Sequence, residues 1–166
     1  MLTSHELFGF MSPPLAVGII EYAHDHNREL YKTALASVAE ARKLRPIFFE
    51  RTPRQQRHVE MAAMLAKPRL ELIAANLLRD WLMKKETAML VDFLDGMNIT
   101  HKEGAVEDLP TTVEDAKLQA AIEKLVAKYP AEEVAVYLHA FYTMNQAQWP
   151  NLEAILKTDK RLQFGG

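Results

Sequence analysis

The chain has 166 residues, 49% hydrophobic and 25% charged, with a formal net charge of −2. That length suits one domain around one core, and that balance excludes both a disordered acidic segment and a globally basic nucleic-acid binder. The absence of cysteine removes disulfides, thiolate catalysis, iron–sulfur clusters and cysteine-ligated zinc, and fits a reducing compartment.

Residues 1–12 read as an irregular N-terminal arm. It has an early acid, Glu6, and an apolar run broken by Ser12, Pro13 and Pro14, unlike a signal peptide. Leu7, Phe8, Phe10 and Met11 are expected to dock on the body, because four large apolar side chains are costly in water. Ser12, Pro13 and Pro14 then open a helix, the prolines sitting where a missing amide donor does no harm, and the pattern runs to about Leu44 before Pro46 stops it. Its buried stripe reads Leu15, Ile19, Ala23, His26, Leu30, Ala34, Val38 and Ala41, with Ile20, Asn27 and Tyr31 alongside. Residues 45–51 (RPIFFER) form a short connection pinned by Ile47, Phe48 and Phe49. Thr52-Pro53-Arg54-Gln55 has the form of a capping box with proline at the first helical position. It predicts a helix to about Lys67 that presents His58, Met61, Ala62 and Leu65 on one side.

Residues 69–97 are the longest proline-free and most apolar stretch, and the rest of the chain is expected to be arranged around them. At about 100° per residue Leu70, Ala74, Leu77, Leu78 and Trp81 share one stripe, while Leu90, Phe93, Leu94 and Met97 share a nearly opposite one. One straight helix cannot bury both. The phase slips at residues 83–88, where Lys84 and Lys85 suit a helix C-terminus and Glu86 the next N-terminus. A helical hairpin is predicted, closed by Gly96 and Asn98, which tolerate positive φ.

A shift of 44 residues, carrying residue 77 to 121, overlays Leu77, Leu78, Trp81 and Leu82 on Ala121, Ile122, Leu125 and Val126. The same shift overlays Leu90, Phe93, Leu94 and Met97 on Val134, Tyr137, Leu138 and Phe141. Pro130 marks the second break. Two hairpins, about 69–97 and 113–144, thus define a candidate internal repeat that could pack as a pseudo-symmetric four-helix unit; the alternative is coincidence in an apolar chain. Between them lies a loop with a turn at Gly104 and a short extended pairing through Ile99 and Val106. Thr111-Thr112-Val113-Glu114 supplies another capping box. Trp149-Pro150-Asn151 begins a last short helix, and residues 159–166 are expected to fray after Leu162. The fold predicted is an all-α helical bundle of about seven helices in a single domain over 1–166, with no strand.

Three sets of residues are candidates for function. The step Glu21-Tyr22-Ala23-His24 resembles half of a di-iron site, but no second such step accompanies it, and no metal or cofactor is expected. His26 and Asn27 interrupt an apolar stripe and need hydrogen-bond partners there; with His58 they could line a pocket for a small polar ligand, or simply bond to a neighbouring helix. Residues 42–69 carry eight Lys or Arg against Glu50 and Glu60. Within them Arg51, Arg54 and Arg57 recur around a helix start, a pattern able to hold anions, although a solvated face explains it equally. The common signatures of nucleotide, dinucleotide, acyl-transfer and zinc-protease chemistry do not occur.

The function expected is therefore a protein–protein interaction or self-association module without catalytic activity. The alternative is a helical-bundle enzyme or small-ligand binder at His26, Asn27 and His58. A second alternative is phosphate or nucleic-acid binding by the basic segment, with nucleic acid the less expected partner. No apolar run approaches the roughly 18 residues of a membrane span, so a cytoplasmic protein with no membrane partner is expected.

Overall fold

In the computed structural model, which describes residues 1–164, the helix expected across residues 13–44 is two helices that meet at Asn27. In chain order α1 spans Ser4–Phe10, α2 Pro13–His26, α3 Arg28–Ala41, α4 Pro46–Glu50 and α5 Arg54–Leu65. Then follow α6 Glu71–Lys84, α7 Thr87–Gly96, α8 Asp115–Lys128, α9 Ala131–Met144 and α10 Pro150–Thr158, with 3-10 turns at Pro68–Leu70 and Lys160–Leu162. The fold is all-α, with ten α-helices and no strand among the described residues.

The expectation of about seven helices falls short for three local reasons. Asn27 leaves the helical region (φ −145°, ψ 77°), and its Oδ1 accepts the Leu30 N–H at 3.2 Å; it caps α3 instead of lying in a continuous stripe. The arm is helical because Glu71 supplies acceptors for the Ser4 and His5 amides, at 2.9 and 2.7 Å, donors that an isolated helix start leaves without partners. Residues 46–50 close a single turn with Pro46 at its first position. One turn has one inward face, so Phe49 is buried while Ile47 and Phe48 are 55% and 54% exposed, against the expectation that all three pin the connection. Neither capping box forms: Pro53 and Glu114 stand at the N-cap positions without side-chain cap bonds.

The chain divides into two compact units, one of Thr3–Trp81, the other of Met1–Leu2 with the chain from Leu82 onward. The division falls inside α6, so residues 69–97 are not the common centre expected of them. In the first unit α1, α2, α3 and α4 all pack against α5, whose inner face buries His58, Met61 and Leu65. In the second, every residue of α9 from Val134 to Phe141 is buried, as suits a helix apolar on all sides. Helices α8 and α10 and the Lys160–Leu162 turn pack on it. The Phe141 ring lies 5.4 Å from Phe93 and 5.5 Å from Trp149, between ring centroids.

Helix α6 stops at Lys84 and α7 starts at Thr87, where the apolar phase slips. The shift that carries Glu71 to Asp115 also carries Lys84 to Lys128, so α6 and α8 correspond end to end, whereas α9 outruns α7. Asn98 (φ 54°) closes α7, with the Ile99 N–H donated to the Leu94 carbonyl at 2.9 Å; Gly96 stays helical. In place of a pairing through Ile99 and Val106, Lys102 and Ala105 exchange both backbone hydrogen bonds at 2.9 Å across Glu103 and Gly104.

The tail is better held than its composition suggests. His139 on α9 donates Nε2–H to the Leu162 carbonyl at 3.2 Å and accepts the Leu2 N–H on Nδ1 at 3.5 Å. Its ring lies 5.6 Å from that of Phe164. The final two positions of the expected frayed tail lie outside the described residues. No helix among the described residues is long and apolar enough to cross a membrane.

Candidate functional site

Two places in the first unit gather chemistry that the sequence scatters. The first is a polar chain between α2, α3 and α5, buried at His58 and Tyr31 and open to solvent at Arg54. Arg54, Arg57 and His58 share a face of α5 because they are three and four residues apart, and that face meets Glu21 on α2 and Tyr31 on α3. A carboxylate can only accept and a guanidinium can only donate, which orders the protons. His58 is fully buried and gives Nδ1–H to Glu21 Oε1 at 2.7 Å. Its bare Nε2 takes the Tyr31 O–H at 2.7 Å. The Tyr31 oxygen in turn accepts from Arg57 Nε at 2.8 Å.

Charge states follow. Burial pushes the His58 imidazole below its ordinary value despite the Glu21 carboxylate beside it. Burial also raises the Tyr31 phenol, against the pull of Arg57, so it keeps its proton and remains a donor. For Glu21 burial acts upward, but the hydrogen bonds from Arg54 and His58 outweigh it and hold the carboxyl below its usual value. Arg54 donates to Glu21 and, at 3.1 Å, to Asp25. Arg57 turns its other end to the Glu50 and Thr52 carbonyls, at 2.9 and 3.1 Å, and so ties the end of α4 to the same chain.

The proposed trio of His26, Asn27 and His58 is not brought together by hydrogen bonds. Asn27 caps α3 and donates its side-chain amide to Asp80 at 3.0 Å. His26 is exposed, its ring 4.6 Å from that of Tyr22. Both answer to the local geometry of the α2–α3 break. Of the Glu21–His24 step, Glu21 faces His58 and Arg54, while His24 bonds Asp25 at 2.9 Å. Among the described residues no group of three or more His, Asp or Glu could hold a metal ion. Nor do Arg51, Arg54 and Arg57 present one open anion site: Arg54 and Arg57 direct donors at acceptors of this chain, and Arg51 lies over the Phe48 ring at 5.7 Å. Tyr31 lies beside the predicted buried stripe and Glu21 in the Glu21–His24 step, but nothing in the helical spacing pairs either with His58, and Glu21 falls on the polar face of α2. The available signal was His58 on the apolar side of α5 with Met61 and Leu65, a polar side chain that needs buried partners from somewhere.

The second place is the knuckle formed by the end of α3 and by α4. Leu44 is 41% exposed beside the exposed Ile47 and Phe48. Lys43, Arg45 and Arg51 flank them, and none of the three has an acidic partner among the described residues, whereas neighbouring Arg42 is taken by Glu60 at 2.7 Å. Lys43 stands at φ 59°, in the left-handed region where a helix usually ends on glycine.

No family model, no curated protein and no solved structure matches the chain.

Proposed function

We propose that the chain is a binding module with no chemistry of its own, which docks on a negatively charged partner through the α3–α4 knuckle. The observation that carries this reading is the cluster of exposed Leu44, Ile47 and Phe48 among Lys43, Arg45 and Arg51 without acidic partners. Apolar side chains gathered at one exposed place mark contact sites more often than scattered ones do, and cations around them select an anionic partner. Self-association through this face is disfavoured, because a two-fold contact sets like charges against each other. The test is a photo-crosslinking benzoylphenylalanine placed at Phe48 and illuminated in cells. A defined adduct that disappears in Arg45→Glu/Arg51→Glu is expected; no adduct with any component overturns the reading.

The second reading, a helical-bundle enzyme or small-ligand binder, draws support from the proton-ordered chain of Glu21, His58 and Tyr31 rather than from His26 and Asn27. It predicts that a small-molecule library contains compounds that raise the melting temperature of the wild type but not of His58→Gln. The basic-segment reading retains Arg51 with Lys43 and Arg45 as its free cations, and predicts mobility shifts of nucleic acid that are strongest at low salt.

A further inference from the structure

We propose that the knuckle attaches the protein to an anionic lipid surface, an inference that rests on the docking reading above and names its partner. Area and charge together favour lipid over protein. The apolar part of this face is three half-exposed side chains, Leu44, Ile47 and Phe48, a small anchor for a stable protein interface, which takes roughly 800 Å² from each partner. A bilayer has no such threshold, since binding grows with each apolar group inserted and each cation brought to the headgroups. A second copy of this chain would oppose Lys43, Arg45 and Arg51 with the same three cations.

The geometry suits shallow insertion. Phe49 is buried in the core and Pro46 fixes the start of the turn, so Ile47 and Phe48 are held outward on a short, anchored element. Arg57 secures its far end through the Glu50 and Thr52 carbonyls. The Arg51 guanidinium over the Phe48 ring sets charge and apolar surface at the same level, as the boundary between headgroups and acyl chains requires. Against these cations the segment carries one acid, Glu50. Attachment of this kind needs no spanning helix, so the lack of a span that led the sequence reading away from membranes does not bear on it. The surface that fits is the negatively charged cytoplasmic leaflet.

The experiment is co-sedimentation of the full chain with phosphatidylcholine vesicles and with vesicles of equal parts phosphatidylcholine and phosphatidylserine, at low and at physiological salt. Binding to the anionic vesicles alone is expected. It should fall about tenfold or more in Ile47→Ser/Phe48→Ser and likewise in Arg45→Glu/Arg51→Glu, with wild-type circular dichroism in both, since the altered side chains lie on the surface. A Phe48→Trp variant supplies a depth readout: its emission moves to the blue on anionic vesicles, while the buried Trp81 and Trp149 give a constant background. Failure to bind anionic vesicles at low salt overturns the inference. So does binding unchanged in both double variants, or Phe48→Trp emission that does not move. If vesicles fail while the crosslinker at Phe48 still captures a polypeptide, the lipid partner is wrong and the docking face stands; if both fail, both readings fall.

Discussion

Tyr31 gives its phenolic hydrogen to Nε2 of His58 at 2.7 Å, so a residue of α3 fixes the tautomer of one on α5. Tyr31→Phe keeps the ring packed but leaves His58 Nε2 and Arg57 Nε without this partner, in a place where water cannot easily replace it. A buried group stranded this way costs about 1–3 kcal/mol. Urea unfolding should show a loss in that range with unchanged slope; a loss within the error of the wild type would mean that the chain of bonds contributes nothing to stability.

Acid should act on the same chain of bonds and on the tail. Burial holds His58 and His139 below the ordinary imidazole value of 6.5, and each uses a bare nitrogen as an acceptor. Below 6.5 the unfolded chain takes up protons that the folded chain refuses, so stability falls from there until each folded pKa is passed. Glu21 acts in a lower window. Its carboxyl lies below 4.5 when folded, so its contribution is present above 4.5 and is lost as pH falls through the folded value. A melting temperature flat between about pH 8 and 7 should drop between about 6.5 and 5. His139→Gln offers a donor to Leu162 and an acceptor to Leu2 without titrating, and with His58→Gln it should flatten that drop. An unchanged profile in the double variant would assign the acid sensitivity elsewhere.

Sequence and structure part company at identifiable residues. Helix boundaries at Lys84, Thr87 and Pro130 were legible because apolar periodicity changes phase there, and Asn98 because it tolerates positive φ. The break at Asn27 was not, since the apolar spacing continues across it and the cap depends on a single side chain. Glu71 could not be assigned to α1 from the sequence at all, as nothing local records a carboxylate arriving from α6. The site shows the same split. His58 was visible as a polar residue on an apolar face and Tyr31 as a neighbour of the buried stripe, but periodicity within one helix does not record a partner on another, so their pairing with each other and with Glu21 was not. In the knuckle, the apolar Ile47, Phe48 and Phe49 and the surrounding cations were evident, yet the sequence could not reveal that Phe49 turns inward while Leu44, Ile47 and Phe48 stay exposed.

Gly104 tests the loop. It sits at φ 90°, and a Cβ there would lie 3.1 Å from Cβ of Leu90 on α7. Left-handed backbone and close approach both require glycine. Gly104→Ala should therefore destabilise the protein by about 1 kcal/mol or more, and hydrogen exchange should speed up at the Lys102 and Ala105 amides. A stable variant with unchanged exchange would show that the Lys102–Ala105 turn is not held as described.

Lys43 separates stability from binding at one position. A residue with a Cβ at φ 59° is strained where glycine is not, and the Leu44 N–H donated to the Ala39 carbonyl at 2.8 Å shows that this ending of α3 is fully formed. Lys43→Gly removes the strain and should raise stability by a few tenths to about 1 kcal/mol, offset in part by the entropy that glycine adds to the unfolded chain. It also removes a cation of the knuckle, so binding to anionic vesicles should weaken while the protein becomes more robust to urea. Lys43→Asn, tolerated at this φ but uncharged, should lower binding as much as the glycine does. If both variants bind as the wild type does, Lys43 takes no part in docking, and the contact face is confined to Arg45, Arg51 and their apolar neighbours.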